Sequence, residues 1–258
     1  MGRKYVTYAV EENIAIVTLN NPPMNALSLE IMREMDQVFT EMKTDDSIRA
    51  VILTGAGKVF CAGGEIREFL DFDRIKGEHY VREVQDAHRK ITEFDLPVIA
   101  AINGHAVGGG CEISMSCDIR IASEKARFGL PELKLGVMPA AGGTKRLPWL
   151  IPMGKAKMLI FTGDHISAAE AERIGLVDKV VPAGEELNEA RNLAKKMMKV
   201  GPVALRFAKK SVNRGKQTSL NDALMLEATL FGELFETQDV KEGVNAFLEK
   251  REPAFKGK

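Results

Sequence analysis

An excess of charge of one sign is missing from this sequence: Lys+Arg and Asp+Glu both number 36, leaving a formal net charge of zero. Proteins that work on nucleic acid or on an anionic membrane surface need a basic face, and this balance argues against both partners. Cysteine is scarce, with Cys61, Cys111 and Cys117 the three in the chain. An odd count without a CxxC spacing disfavours a disulfide framework and a zinc ribbon. The four histidines, His79, His88, His105 and His165, have no spacing suited to a metal. Long hydrophobic runs are lacking too. The best candidate, PVIAAINGHAVGGG, is broken by Asn103, His105 and glycines well short of the ~20 residues that span a bilayer. The opening MGRKYVTYAV carries no apolar core of signal-peptide length. The expectation is a soluble cytoplasmic protein with reduced thiols, no metal and no nucleic-acid or membrane partner.

What remains is ordinary globular material: 258 residues, 45% apolar and 28% charged, enough for one to two domains. The runs at 5–10 and 14–19 read as strands joined near Glu12-Asn13, and a Pro/Asn loop follows. From Ser28, a candidate N-cap, Ile31, Met32, Met35, Val38, Phe39 and Met42 recur at helical spacing. Uninterrupted apolar runs at 50–54 and 96–102 predict strands buried on both faces. A polar helical region is expected from about Ile66 to Phe94, a further strand at 118–123, and a loop-rich stretch over 124–147. Helices near 154–161 and 168–174 and a last strand at 176–181 complete the mixed part. From Glu185 the pattern is helical, interrupted at Gly201-Pro202 and Gly215. This shift predicts a catalytic core over 1–195 and a helical C-terminal region over 196–258.

Chemistry concentrates where strands give way to glycine-rich loops. In NGHAVGGGCE (103–112) a glycine triplet stands between an apolar strand and a helix. Such a triplet lets a ligand reach the main chain, at the end of a helix that favours negative charge. The same glycines also suit tight strand–helix packing, and Glu112 in a first turn also suits the helix dipole. FCAGGEI (60–66) repeats the design after the preceding buried strand. Two such loops on neighbouring strands offer one N–H each, a two-donor site for a developing oxyanion. FGLPEL (128–133) holds Glu132 behind Pro131, whose ring restricts the backbone; taken alone, Glu132 is equally an exposed loop residue. PAAGGT (139–144) is a further turn placed to line the same cavity. Two positioned carboxyl groups beside a polarised carbonyl are what proton removal and delivery require. Nucleotide-loop readings fail: no GxGxxG occurs, and GAGK (55–58) has Ile52 and Val59 where a phosphate loop needs Gly and Ser/Thr. Cys111 has no indicated base and reads as a packing residue. The basic span 195–216 reads as a solvated helix face.

In order, FCAGGEI, AAINGHAVGGGCE, CDIRIAS, FGLPELKLG, PAAGGTKRLP, the segment from Thr162 to Val181 and a closing AFLEKREPAF resemble the enoyl-CoA hydratase/isomerase (crotonase) family from about Ile14 to Phe255. The resemblance implies an α/β fold, a spiral of ββα units with a helical C-terminal region, assembled as trimers paired into hexamers. It implies that the amides of Gly64 and Gly109 bind a thioester oxygen. Glu112 and Glu132 match the paired glutamates of the hydratases, Glu112 for orienting and activating water and Glu132 for the proton on C2. Isomerases of this kind usually keep only the second glutamate, so the pair favours hydration of an acyl-CoA. Alternatives are an isomerase, a methylglutaconyl-CoA-type hydratase, or a non-catalytic CoA- or RNA-binding scaffold. The RNA-binding alternative expects a row of lysines on the first helix. Here residues 28–43 offer Arg33 and Lys43 against four acidic residues. Ala26, Leu27, Ala62 and Ile66 match the path of the CoA moiety, and Arg67 a basic position near its phosphates. Phe231 and Lys250 match positions that reach the CoA of a neighbouring subunit. Ala140 replaces the usual Gly of PGAGG, in the turn whose amide helps hold the water. No cofactor is implied, since CoA arrives with the substrate.

Overall fold

Three apolar runs set the centre of the fold. The computed structural model describes residues 3–258. Its first part comprises β1 (Val6–Glu11), β2 (Ile14–Leu19), α1 (Leu29–Met42), β3 (Ala50–Gly55), a 3-10 turn over Ile66–Asp71 and α2 (Arg74–Thr92). There follow β4 (Val98–Ile102), β5 (Ala106–Val107), α3 (Gly109–Ser114), β6 (Ile119–Ser123), β7 (Arg127–Gly129) and a second 3-10 turn over Pro131–Leu135. Next are α4 (Gly143–Leu150), α5 (Met153–Thr162), β8 (Ile166–Ser167), α6 (Ala168–Ile174) and β9 (Lys179–Val181). The chain closes with α7 (Glu186–Met197), α8 (Pro202–Gly215), α9 (Leu220–Leu234) and α10 (Gln238–Glu249).

The large sheet has the order β1-β2-β3-β4-β6-β9; β1 is antiparallel to β2 and every other pair is parallel. Parallel strands covered on both faces need apolar residues at every position, and β3 is buried along its whole length. Alternate residues serve opposite layers. Ile14, Ile16, Ala50, Ile52, Ile99 and Ala101 pack under Ala190 and Ala194 of α7, small residues that let the helix sit close. Ala15, Val17, Val51, Leu53 and Ala100 join the larger core with Met35, Val38 and Phe39 of α1 and Ile91 of α2. Phe39 meets Phe94 edge-on, their ring centroids 5.1 Å apart. Ser28 caps α1 as its sequence suggests, its side chain accepting from the Ile31 amide at 3.3 Å.

Two local expectations are corrected. The region 66–94 is not one helix: it breaks at Phe72-Asp73, where the Asp73 carboxylate accepts from the Lys76 amide at 2.8 Å and starts α2 afresh. The stretch 124–147 holds β7, a 3-10 turn and the start of α4. β7 belongs to a small second sheet of order β5-β7-β8, whose two- and three-residue strands leave no period to read. In the C-terminal part, Lys209 of α8 donates to the Asp118 carboxylate at 2.7 Å and the Leu96 carbonyl at 2.8 Å, fastening that helix to the ends of β4 and β6. Among the described residues no helix is long and apolar enough to cross a membrane.

Candidate active site

β3 and β4 lie side by side and parallel, so the loops leaving their C-terminal ends emerge together, the usual place for a ligand on such a sheet. Asn25 stitches the first loop in place. Buried and left-handed (φ 52°), it donates from Nδ2 to the carbonyls of Ala56 at 3.0 Å and Val59 at 2.7 Å. Leu27 then brackets Gly64: its amide donates to Gly63 O at 2.8 Å and its carbonyl accepts from the Glu65 amide at 2.9 Å. This pairing leaves the Gly64 amide turned away from Leu27. Gly109, at the first position of α3, has no helical acceptor for its own N–H. Among the described residues neither amide donates to any protein group. The two are neighbours, since a Cβ built on Gly109 would stand 3.6 Å from the Gly64 nitrogen.

The two glutamates are set by the small sheet. β5 pairs with β7, Val107 opposite Gly129, and the Gly108 amide donates to Gly129 O at 2.8 Å. The glycine triplet and the FGLPE segment are thereby zipped together. Gly108 has φ 55°, and a side chain there would also press within 3.1 Å of Glu132 Oε1. Glu112 is buried and its Oε1 accepts from the Gly143 amide at 2.8 Å. Burial, with the neighbouring Glu132 adding repulsion, pushes the Glu112 carboxyl up to about 8, against the pull of the Gly143 and Ala141 amides. Burial raises Glu132 to about 6, and its Oε2 is buried without a partner among the described residues. Burial and the repulsion of Glu132 thus favour a proton shared by the pair around neutral pH.

Both carboxyl groups and both amides line a single cavity of about 450 Å3. The family profile described as Enoyl-CoA hydratase/isomerase matches residues 9–258. The chain belongs to the enoyl-CoA hydratase/isomerase family. It is 49% identical over 243 residues to a short-chain-enoyl-CoA hydratase of Clostridium acetobutylicum, covering 93% of each chain. It is 43% identical to a crotonyl-CoA hydratase of Syntrophomonas wolfei, covering 99% of both. An enoyl-CoA hydratase crystal structure from Bacillus anthracis superposes with a TM-score of 0.94 at 40% identity, over 99% of this chain and 100% of that one.

As an enoyl-CoA hydratase/isomerase family member with the crotonase fold, the chain can be read position by position. Leu27, Ala62, Ile66 and Ala140 line the cavity together with Gly64, Gly109, Glu112 and Glu132. Ala26, Arg67, Phe231 and Lys250 are not among the lining residues. Ala26 sits beside Leu27 and Arg67 is exposed on the 3-10 turn; Phe231 lies on α9, while Lys250 caps α10 in a left-handed conformation. Cys111 is buried and its thiol is pushed up by burial and by both glutamates, which suits packing rather than attack.

Sequence reasoning missed an aromatic wall of the cavity. Phe69, Phe72 and Tyr80 pack on one another, with centroids 5.2 to 5.4 Å apart, and line the cavity with Val81 and Val84. The residues at 80, 81, 84 and 88 mark one face of α2, a signal present in the sequence but silent about what the face meets. The assembled site offers two neighbouring free amides for an oxyanion, a pair of carboxyl groups with raised pKa values and an apolar wall. That set suits reactions through an enolate.

Proposed function

We propose that the protein is an enoyl-CoA hydratase, a hydro-lyase adding water across the trans-2,3 double bond of an enoyl-CoA thioester to give the 3-hydroxyacyl-CoA. The observation that carries this reading is the pair of neighbouring glutamates lining one cavity beside two free amides. An isomerase needs a single proton carrier, and two are present. The named hydratase relatives add weight to hydration.

In the proposed mechanism the amides of Gly64 and Gly109 hold the thioester oxygen, drawing electrons from C3 and stabilising the enolate that follows. A water hydrogen-bonded to both carboxyl groups accepts the Glu112 proton while giving one to Glu132, leaving Glu112 ionised and Glu132 protonated. Glu112 then takes a proton from the water as its oxygen bonds to C3, and Glu132 delivers its proton to C2. Turnover returns the site to its resting state, with Glu112 neutral and Glu132 charged. All atoms added come from one water, and no cofactor is consumed; CoA enters and leaves with the acyl group.

The acyl group is short in this reading, because the rings of Phe69, Phe72 and Tyr80 occupy one wall of the cavity. CoA runs outward past Leu27, Ala62 and Ile66, with Ala26 and Arg67 farther along the path. Helices α8–α10 mediate assembly into trimers or hexamers, bringing Phe231 and Lys250 to a neighbour's CoA. The deciding experiment follows loss of enoyl absorbance with crotonyl-CoA and with longer and branched enoyl-CoAs. Hydration fastest on crotonyl-CoA is expected. Binding without hydration, and without deuterium entering C2 in heavy water, leaves a scaffold and overturns the reading.

A further inference from the structure

Helix α2 touches the site twice. Tyr80, Val81 and Val84 face the cavity, and the next turn reaches the back of the 139–143 segment. Gln85 Nε2 donates to the Ala140 carbonyl at 2.7 Å. His88 Nδ1 lies 3.0 Å from the Ala141 carbonyl, which also accepts from Arg146 Nη1 at 2.9 Å. The front of the same segment faces Glu112, through the Gly143 amide at 2.8 Å and the amide of Ala141. One short turn is thus clamped behind by side chains and holds a carboxyl in front.

His88 is fully buried (0% exposed), and its Nε2 has no partner among the described residues. A carbonyl can only accept, so Nδ1 carries the hydrogen and Nε2 an unpaired lone pair. A buried nitrogen without a partner is unfavourable, and an aliphatic side chain would fill this core position without that cost. Packing alone therefore does not account for an imidazole here; the bond to Ala141 does. Burial and the nearby Arg146 hold the ring neutral, its pKa lowered to about 3, so it gains no charge at any working pH.

We propose that His88 is a positioning residue for Glu112: its Nδ1–H fixes the Ala141 peptide, so that the amides of 139–143 keep the carboxyl aimed into the cavity. This rests on the proposed hydratase reading. The charged and titratable groups facing Glu112 are Glu132 from the 131–135 turn, Arg146 from α4, Tyr80 from α2 and Cys111 from its own helix. His88 acts on Glu112 through hydrogen bonds instead. Amide bonds favour the ionised carboxyl, so a loosened turn raises the pH at which Glu112 ionises.

The test compares two amides of different reach. In His88→Asn the side-chain nitrogen can occupy the place of Nδ1; in His88→Gln it reaches the place of Nε2 and leaves the Ala141 carbonyl with Arg146 alone. The asparagine variant is expected within about threefold of wild-type kcat, with the alkaline limb of its pH profile unmoved. The glutamine variant is expected to lose more than about tenfold in kcat, with KM within about threefold and the alkaline limb moved upward. Equal behaviour of the two, or a lower kcat with an unmoved limb, overturns the proposal. Failure of both to fold assigns His88 to the core and overturns it as well. A wild-type protein that does not hydrate crotonyl-CoA overturns the hydratase reading itself, a separate result.

Discussion

With 4% of its surface exposed and its carboxyl pushed up to about 8, Glu112 is ionised in the unfolded chain at neutral pH and protonated in the folded one. A folded pKa above the unfolded value of 4.5 means that the folded state binds the proton more tightly. The associated stability is complete below about pH 4.5 and is lost as pH rises through about 8, at most about 5 kcal/mol in all. Glu112→Gln, neutral at every pH, should therefore melt progressively above wild type between pH 5 and pH 9 while losing about 10²–10⁴-fold in kcat. Thermal melts at the two pH values check this; an equal gap at both rejects the buried-carboxyl account. For the native pair, kcat/KM should trace a bell with an acid limb near 6, where Glu132 protonates, and an alkaline limb near 8, where Glu112 loses its proton. A profile flat from pH 5 to 9 would contradict the single shared proton. Glu112, Glu132, Gly64 and Gly109 were legible because each sits at a fixed place in an ordered motif. His88 and Tyr80 were not, because α2 reaches the site only through tertiary packing.

Elements were legible in proportion to the length of their pattern. The double-sided burial of β3 and β4 and the cap and stripe of α1 could be read directly, since many residues repeat one period. The small sheet could not, because β5 and β8 have two residues each and are defined by their partners. The break at Phe72-Asp73 hides inside a polar stretch, with a cap but no glycine or proline at the break itself. Glycine shows how differently two positions in similar sequence can behave. A Cβ on Gly110 would stand 1.9 Å from the Cys61 carbonyl oxygen, at the crossing of the two site loops. Backbone cannot retreat there as a side-chain end can, so Gly110→Ala should cost more than about 3 kcal/mol, or leave the protein insoluble. Gly77, in the first turns of α2, has nothing within 4 Å of such a Cβ. Gly77→Ala should instead stabilise by about 0.5–1 kcal/mol through helix propensity and a less flexible unfolded chain. Urea unfolding of both variants measures the contrast, and similar losses in the two would refute the close-approach argument.

At the scale of the whole molecule, the apolar surface is unevenly spent. The central strands β3 and β4 are buried on both faces, whereas α9 and α10 leave Phe231, Phe235, Phe247 and Leu248 largely in the open, Phe247 82% exposed. Single exposed apolar side chains are normal, but a run of large ones on consecutive helices is the kind of surface that suits association with another chain. A net charge of zero opposes self-association little. The protein should therefore sediment as a trimer or hexamer at micromolar concentration, and Phe247→Asp with Leu248→Asp should shift it toward smaller species. If Lys250, at the end of the same helix, serves a neighbour's CoA, dissociation must also raise KM for crotonyl-CoA by about tenfold or more. Each dissociated protomer still contains Glu112, Glu132, Gly64 and Gly109, so kcat should fall far less than affinity. Sedimentation velocity and steady-state kinetics on the same samples separate the possibilities. A wild-type monomer removes the assembly altogether, and dissociation with unchanged KM leaves the assembly but takes Phe231 and Lys250 out of substrate binding.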